Sequence, residues 1–324
     1  MAEPTQIPII DFSFINQSRD KVSKEIVDAL ESVGFLFLDN VGFDRKAIEQ
    51  ACKWFHSLPE SNKFALATKS FNPKNKNIYR GYFPADATNS SFKEGFEVSE
   101  ELSQEECVSI GFPLYEPNRW PSATEEETAW FKKTLCDHYK LMHNTGTEVC
   151  RLIARGLGAN EDWFDHMFSP YPLSTLRLIN YPIRPKPIPD CARDGDYILH
   201  CGSHTDTPFI TLLATFDYPG LQIQDKNDLW VDVPVRSDSL VLNIGDVLSK
   251  VTGKRLRATR HRVVDMGSTR QSVPYFLEPR FDANINRTIV NTGATTEEEE
   301  LGYGPFLIRE MKAKGYVEYE DLLK

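Results

Sequence analysis

Several features that would fix the class of a protein at once are missing from this sequence. Its net charge is −10, so it lacks the basic excess with which nucleic-acid and membrane-surface proteins meet phosphates. It also has no apolar run of about 20 residues, the length that a membrane-spanning helix needs. These absences predict a globular protein without a nucleic-acid or membrane partner. A small-molecule substrate stays open, because a basic pocket can be buried inside an acidic protein.

Known signatures of disulfide, secretory and nucleotide-binding proteins are also missing. The six cysteines contain no CxxC pair, and scattered cysteines in a long chain are typical of reduced thiols. The N-terminal residues MAEPTQIPIIDF have neither the basic nor the apolar segment of a secretory signal. There is no GxSxG elbow, no P-loop and no GxGxxG motif. We therefore expect a cytoplasmic protein that works as a monomer, with a homodimer as the alternative.

The N-terminal part of the chain alternates strand and helix patterns. Residues 7–12 and 35–38 are short apolar runs typical of strands, and residues 19–33 carry apolar side chains at helical spacing. Asp44 is a candidate N-cap for a second helix. Residues 67–121 are less regular, so we expect a functional or mobile loop region there.

A long helix comes next, and the pattern then changes to strands. Ser122 or Thr124 is placed to begin the helix, which we expect to support the sheet from behind. Eight candidate strands follow at residues 176–181, 197–204, 210–216, 221–224, 230–235, 240–244, 260–264 and 272–277. Short strands separated by turn residues predict a β-sandwich or barrel. Residues 302–316 are a candidate closing helix, and the acidic run 297–300 is a candidate solvated helix start or loop.

Three side chains in the strand region have the pattern of a metal site. His204 and Asp206 lie on one face of a strand because they are two residues apart, and His261 belongs to another candidate strand. Two imidazoles and one carboxylate leave adjacent coordination positions open, which suits non-haem iron(II). The triplet alone does not decide the matter, because short motifs often arise by chance. His200 shares the same parity, and we expect it to be a hydrogen-bonded strand histidine.

A second pair of residues follows the same rule of alternation. Arg270 and Ser272 lie two residues apart on a candidate strand, so both side chains are expected on one face. A guanidinium beside a hydroxyl can grip a carboxylate. The alternative is an arginine on an edge strand that forms an ordinary surface ion pair.

Motifs in a fixed order add a family resemblance to these two pairs. They lie at residues 7–11, 34–35, 58–59, 80–82, 93–96, 204–206, 219–223, 243–246, 261–263 and 270–272. With them the chain resembles the iron(II)/2-oxoglutarate-dependent dioxygenases related to isopenicillin N synthase and to the plant hormone and flavonoid oxygenases. The resemblance implies a mainly β fold with flanking helices around a double-stranded β-helix, or jelly-roll. Residues 1–121 would form its N-terminal region and residues 122–324 its catalytic region, in one compact unit.

The resemblance also implies a site and its cofactors. Iron(II), 2-oxoglutarate as cosubstrate and O2 would be required, with ascorbate as an accessory reductant. The residues implied are His204, Asp206 and His261 for the metal, which are also the catalytic residues, and Arg270, Ser272 and Tyr181 for the far carboxylate of 2-oxoglutarate.

The implied reaction is the oxidation of a small organic molecule, with release of succinate and CO2. Hydroxylation is the expected outcome, desaturation and cyclisation are variants, and secondary metabolism is the expected setting. Two alternatives stay open: an iron oxidase of the isopenicillin N synthase type that needs no 2-oxoglutarate, and a non-catalytic binding protein on the same scaffold. The candidate substrate contacts near the site are Phe276, Thr207, Tyr79, Arg80, Phe83 and Arg184.

Overall fold

Two β-sheets and a layer of helices make up the fold. The computed structural model describes residues 6–289, 302–313, 319 and 322. The strands are β1 (Ile9–Asp11), β2 (Phe35–Asp39), β3 (Tyr82–Phe83), β4 (Glu94–Val98), β5 (Thr175–Tyr181), β6 (Arg193–Asp194), β7 (Tyr197–His204), β8 (Ile210–Ala214), β9 (Leu221–Gln224), β10 (Trp230–Asp232), β11 (Leu240–Ile244), β12 (His261–Val264) and β13 (Arg270–Leu277). The helices are α1 (Arg19–Ser32), α2 (Arg45–Ser57), α3 (Glu60–Phe64), α4 (Gln104–Ile110), α5 (Glu125–Gly156), α6 (Asp165–Phe168), α7 (Asp246–Val251) and α8 (Tyr303–Ala313).

In both sheets, strands that lie side by side are often far apart in the sequence. The larger sheet has eight strands in the order β1-β2-β11-β8-β13-β5-β4-β3, and the smaller has five in the order β10-β9-β12-β7-β6. Strands β1 and β2 pair in parallel, while the neighbouring strands that meet in the core of each sheet are antiparallel. Two antiparallel sheets with strands in such a non-sequential order form a jelly-roll core. The prediction of a mainly β fold with flanking helices is confirmed.

The larger sheet has a different apolar core on each face. On β5, Ile179 and Tyr181 belong to the cluster between the two sheets, whereas Leu176 and Leu178 belong to the cluster beneath the helices. This follows from the two-residue period of a strand. Each large apolar side chain that is fully buried in this way stabilises the fold by about 1.5–3 kcal/mol. Side chains at every second position of a strand therefore line the space between the two sheets.

Helix α5 supports the larger sheet from behind. Its start is fixed by a capping box, in which the Glu127 backbone N–H donates to Thr124 Oγ1 at 3.2 Å and the Thr124 N–H donates to the Glu127 carboxylate at 3.2 Å. A Cβ at Gly146 would lie 3.3 Å from the side chain of Leu277, so the helix runs close against β13. No helix in the described part of the chain, α5 included, is both long and apolar enough to cross a bilayer.

The irregular region 67–121 contains more structure than its pattern indicated. Strands β3 and β4 and helix α4 all lie within it. Charged residues interrupt the apolar pattern of β4, but Glu94 is buried and satisfied by Lys63 at 2.8 Å and by Asn180 at 2.9 Å. Tertiary partners therefore stabilise a strand that its own composition does not favour. Of the predicted C-terminal helix, residues 314–316 lie outside the described residues, as does the acidic run 297–300.

Candidate metal centre and carboxylate pocket

The two histidines and the aspartate of the predicted triad lie together between the sheets. His204 ends β7, His261 begins β12, and the two residues are paired in the antiparallel register. Asp206 Oδ1 lies 3.6 Å from His204 Nε2 and 3.5 Å from His261 Nε2. One ligand atom from each of the three lies within 4.8 Å of the others. These three atoms can therefore face a single ion.

Backbone carbonyls fix how the two imidazoles are oriented. His204 Nδ1 lies 2.8 Å from the carbonyl oxygen of Gly202, and His261 Nδ1 lies 3.2 Å from that of Thr259. Because a carbonyl only accepts, each Nδ1 carries a proton, and in the neutral imidazole Nε2 then keeps its lone pair. Both lone pairs are then available at the triad. The edge of Phe35 packs on the His261 ring at 5.5 Å and restricts its rotation.

The two oxygens of the Asp206 carboxylate have different partners. Its Oδ2 accepts from the Thr211 hydroxyl at 2.6 Å and from the Asn243 amide at 2.8 Å, while Oδ1 faces the two imidazoles. Burial alone would raise the pKa of Asp206, but His261, His204 and Thr211 outweigh it and hold that pKa far below its usual value. The group is a carboxylate with one oxygen held and one oxygen free to bind a cation.

A glycine between β11 and α7 allows the Asp206 segment to pass close by. A Cβ at Gly245 would lie 2.0 Å from the carbonyl oxygen of Pro208. The next residue, Asp246, donates its N–H to the Asp206 carbonyl at 2.8 Å and accepts from the Thr205 hydroxyl at 3.1 Å. The motif at residues 243–246 therefore holds the metal-site loop through both its backbone and its side chains.

The donor set fits iron(II) better than a closed structural site. Two imidazoles and one carboxylate oxygen are the ligands of a facial triad, which leaves further positions open. His204 is 39% exposed in its side chain, whereas His261 and Asp206 are 10% exposed, so the site opens on the His204 side. No other cluster of potential ligands in the described ranges has this geometry, and His200 is not part of it.

Arg270 and Ser272 lie in the same interior as the triad. They are 3% and 1% exposed, and Arg270 pairs with Tyr181 in the register of β13 and β5. The Arg270 guanidinium lies 4.9 Å from the centre of the Tyr181 ring. Its Nε and Nη1 have no hydrogen-bond partner within the described residues. Leaving a buried charged group incompletely paired costs about 3–5 kcal/mol, so the pocket fits an anionic ligand such as a carboxylate.

Two of the predicted substrate contacts, Phe83 and Phe276, flank Arg177, which was not among the predicted site residues. The Arg177 guanidinium lies 5.4 Å from the Phe83 ring and 4.9 Å from the Phe276 ring, and its Nε donates to Glu97 at 2.6 Å. Arg177 lies on β5 with the parity of Tyr181, which is a signal that sequence reasoning could have used. All three side chains are half-buried.

The remaining predicted substrate contacts are engaged elsewhere or lie beside the triad. Arg80 and Arg184 are buried, and both donate to backbone carbonyls of neighbouring segments. The Tyr79 hydroxyl donates to Glu278 at 3.1 Å. Thr207 is half-buried directly after Asp206. These contacts give the first three residues roles in holding the fold, which could not be read from their sequence positions.

The chain is similar to known proteins over most of its length. Residues 174–279 match the 2OG-Fe(II) oxygenase superfamily, and residues 7–123 match the N-terminal region described as non-haem dioxygenase in morphine synthesis. A probable iron/ascorbate oxidoreductase of Dictyostelium discoideum is 31% identical over 308 residues, which cover 86% of this chain and 82% of that protein. Isopenicillin N synthase of Streptomyces clavuligerus is 28% identical over 316 residues, which cover 95% of each.

A solved structure shares the fold with nearly complete coverage. It is the crystal structure of a full-length Neurospora crassa protein in complex with alpha-KG (2-oxoglutarate) and 5-formyluracil. The TM-score is 0.75 at 25% identity, and the match covers 97% of this chain and 100% of that chain. The likeness therefore extends over both sheets and the helical layer.

Proposed function

Because the chain belongs to the 2OG-Fe(II) oxygenase superfamily, we propose that the His204, Asp206 and His261 triad and the incompletely paired Arg270 form its active site. The protein is a 2-oxoglutarate-dependent non-haem iron dioxygenase, with iron(II) and 2-oxoglutarate as its cofactors. The observation that carries the proposed site is that a metal-competent triad and a buried guanidinium with two unpartnered nitrogens lie in one interior. Each requires a ligand, and iron(II) with 2-oxoglutarate would supply both.

The triad residues would hold the metal with little rearrangement. In our proposal His204 and His261 bind through Nε2 and Asp206 binds through Oδ1. The carbonyls behind both Nδ1 atoms and the donors on Asp206 Oδ2 support this geometry before any metal arrives. Such preorganisation reduces the reorganisation that accompanies binding.

Arg270, Ser272 and Tyr181 would hold the far carboxylate of 2-oxoglutarate. A guanidinium can form two parallel hydrogen bonds to a carboxylate, and the hydroxyl groups can add further donors. When bound, iron(II) with 2-oxoglutarate and O2 supplies the power to oxidise a C–H bond, with succinate and CO2 as the other products. The protein residues would orient the far carboxylate of the cosubstrate and limit the access of bulk water to the interior.

The substrate would lie between Phe276, Phe83 and Arg177. Two aromatic rings offer flat apolar walls, and Glu97 holds the guanidinium between them. We propose a small, flat organic molecule that carries an oxygen acceptor, with Thr207 as a further contact beside the metal. Hydroxylation is the proposed outcome. The complex of the similar Neurospora crassa protein with 5-formyluracil is consistent with a heterocyclic substrate.

We also propose how the chain is organised and where it works. Residues 1–121 would form an N-terminal region and residues 122–324 a catalytic region of one unit, since β2 and β4 extend the same sheet as β5 and β13. All the proposed site residues belong to one chain, which supports a monomer. The six cysteines are free thiols, which supports a reducing compartment such as the cytoplasm.

Turnover of a substrate library with succinate as the readout tests the proposal. Iron(II)-loaded protein, 2-oxoglutarate and ascorbate are incubated with flat heterocycles and aromatic acids, and succinate is quantified against oxidised product. We expect one succinate per product molecule, and no succinate from Asp206→Ala protein. Product without succinate would instead support an oxidase of the isopenicillin N synthase type. Neither product nor succinate from any compound, together with no binding of iron, would contradict the proposed activity.

A further inference from the structure

His200 is a buried polar residue that has no role in the proposed mechanism. It lies on β7, it is 1% exposed, and neither of its ring nitrogens has a hydrogen-bond partner within the described residues. His200 lies four residues before His204, about 13 Å away along an extended strand, so it does not join His204 at the metal. Its Nε2 lies 3.4 Å from the Asp265 carboxylate, which is an ion-pair distance without hydrogen-bond geometry, so the protein satisfies the ring only in part.

The ring of His200 borders the pocket in which the cosubstrate carboxylate is proposed to bind. Its centre lies 5.5 Å from the centre of the Tyr181 ring. The guanidinium of Arg270 lies 4.9 Å from the centre of the same ring, and it also has unpartnered nitrogens. Two buried groups that can carry positive charge therefore meet at one tyrosine, and both have unsatisfied nitrogen atoms.

Groups that favour the protonated ring and groups that favour the neutral ring both surround His200. From the end of β12, Asp265 Oδ2 approaches His200 Nε2 to 3.4 Å and favours a protonated ring. From β13 and from the segment after β5, Arg270 and Arg184 favour the neutral ring, while the Pro182 backbone favours the protonated one. Burial is the largest influence and lowers the pKa of His200 below its usual value. A carboxylate arriving beside Arg270 would shift this balance towards the protonated ring.

We propose that His200 is a positioning residue of the cosubstrate pocket, which takes up a proton from solvent when the far carboxylate of 2-oxoglutarate binds beside Arg270. The protonated ring then lies between two anions, Asp265 on one side and the cosubstrate on the other, and it holds Tyr181 against Arg270. The inference rests on the proposed function, because it needs a carboxylate at that position.

The sign of the resulting pH dependence follows from linkage. The ring is neutral in the free protein and protonated in the complex, so binding takes up a proton between the two pKa values. Affinity for 2-oxoglutarate is therefore greatest at low pH and falls as pH rises through the pKa of the complex. A pKa difference of one unit between free and bound protein would change the affinity about tenfold.

Calorimetric titration of the anaerobic iron(II)-loaded protein tests the proposal. The titrations run from about pH 6 to 8, the range in which a histidine titrates, in two buffers of different ionisation enthalpy so that proton uptake is counted directly. The ligands are 2-oxoglutarate and 2-oxovalerate, in which a methyl group replaces the far carboxylate. The variants are His200→Gln and, as a control, His138→Gln, which alters another buried histidine with an unpartnered ring nitrogen.

We expect proton uptake with 2-oxoglutarate and none with 2-oxovalerate in the wild-type protein. His200→Gln should lose that uptake and bind 2-oxoglutarate about tenfold more weakly near pH 6, with 2-oxovalerate binding unchanged. His138→Gln should match the wild type.

Three results would overturn the proposal. The first is binding of 2-oxoglutarate to the wild-type protein without proton uptake, which needs no variant to observe. The second is proton uptake that persists in His200→Gln. The third is an equal loss of both ligands by that variant, as a purely structural role requires. Failure of the wild type to bind either ligand would overturn the proposed function as well, so the two failures are distinguishable.

Discussion

The two ends of the interior differ in how the protein satisfies its polar groups. At the metal end, both Nδ1 atoms of the triad face carbonyls, and Asp206 Oδ2 accepts from Thr211 and Asn243. At the carboxylate end, Arg270 and His200 are 3% and 1% exposed, and both have nitrogens without a hydrogen-bond partner in the described residues. The metal end is therefore assembled by the protein, whereas we propose that a ligand completes the carboxylate end.

This difference indicates which interactions form when the protein folds and which form only when a ligand binds. The metal end gains its geometry from hydrogen bonds that exist whether or not iron is present. The carboxylate end holds buried charge that destabilises the free fold and that an anion would neutralise. Cosubstrate binding should therefore stabilise the protein more than its contact area suggests.

The largest expected effect is at the metal end. Asp206→Ala removes the one carboxylate ligand, and we expect iron affinity to fall by more than about 100-fold, since even supporting residues around metals are worth 10–100-fold. Succinate formation should vanish with it. Iron content after anaerobic dialysis measures the change, with the exposed Asp196→Ala as the control. Retention of iron by Asp206→Ala would contradict the proposed triad.

The next effect compares two buried arginines with opposite surroundings. Arg270→Leu should weaken 2-oxoglutarate binding by about 100-fold while leaving the ligand-free protein as stable as the wild type or more stable. Arg184 donates to carbonyls of residues 87, 89, 90 and 199, so Arg184→Leu should destabilise the ligand-free protein by about 3 kcal/mol. Chemical denaturation with and without cosubstrate measures both. Equal destabilisation by the two changes would remove the distinction between the two ends.

A smaller effect is expected from the residues that hold Asp206. Asn243→Leu removes one donor to Oδ2 and should lower iron affinity by about 10–100-fold without abolishing binding. Asn180→Leu is a matched control, because Asn180 donates to Glu94 on the other face of the sheet. Competition with a metal chelator gives both affinities. An unchanged affinity in Asn243→Leu would show that the metal end is not held in the way proposed.

The smallest effect is a pH dependence that no ligand should alter. Burial lowers the pKa of His138 to about 4, whereas its unfolded value is near 6.5. The unfolded chain binds more protons between these values, so stability falls as pH drops through that window, by on the order of 2 kcal/mol. His138→Gln should flatten this part of the stability curve, with or without 2-oxoglutarate. A flattening that depends on 2-oxoglutarate would mean that His138 shares the behaviour proposed for His200.

Much of the architecture could be predicted because its signals are local. The strands at 197–204, 221–224 and 240–244 have the predicted bounds, and the capping box at Thr124 marks the start of α5. The order of motifs indicated the family, which the comparisons confirm. Strand β4 was missed because Glu94 and Glu97 look exposed in the sequence, and only their distant partners Lys63, Asn180 and Arg177 make them compatible with a sheet.

The site could be predicted only as far as strand alternation holds. It indicated the pairs His204 with Asp206 and Arg270 with Ser272, and each pair lies together, although Asp206 follows the end of β7 instead of lying on it. The register shift on β7 changes the position of His200, and no pattern in the sequence predicts that shift. The buried carbonyl contacts of Arg184 depend in the same way on which segments fold against one another.

The most direct test of the two-ended interior is a visible absorption titration of the anaerobic iron(II)-loaded protein with 2-oxoglutarate. A weak charge-transfer band should grow to saturation at one cosubstrate per chain. Arg270→Leu should reach the same band only at much higher concentration, because its metal end is intact. Asp206→Ala should show no band. A wild-type protein fully loaded with iron that develops no band, or an Arg270→Leu variant that titrates like the wild type, would contradict this description of the site.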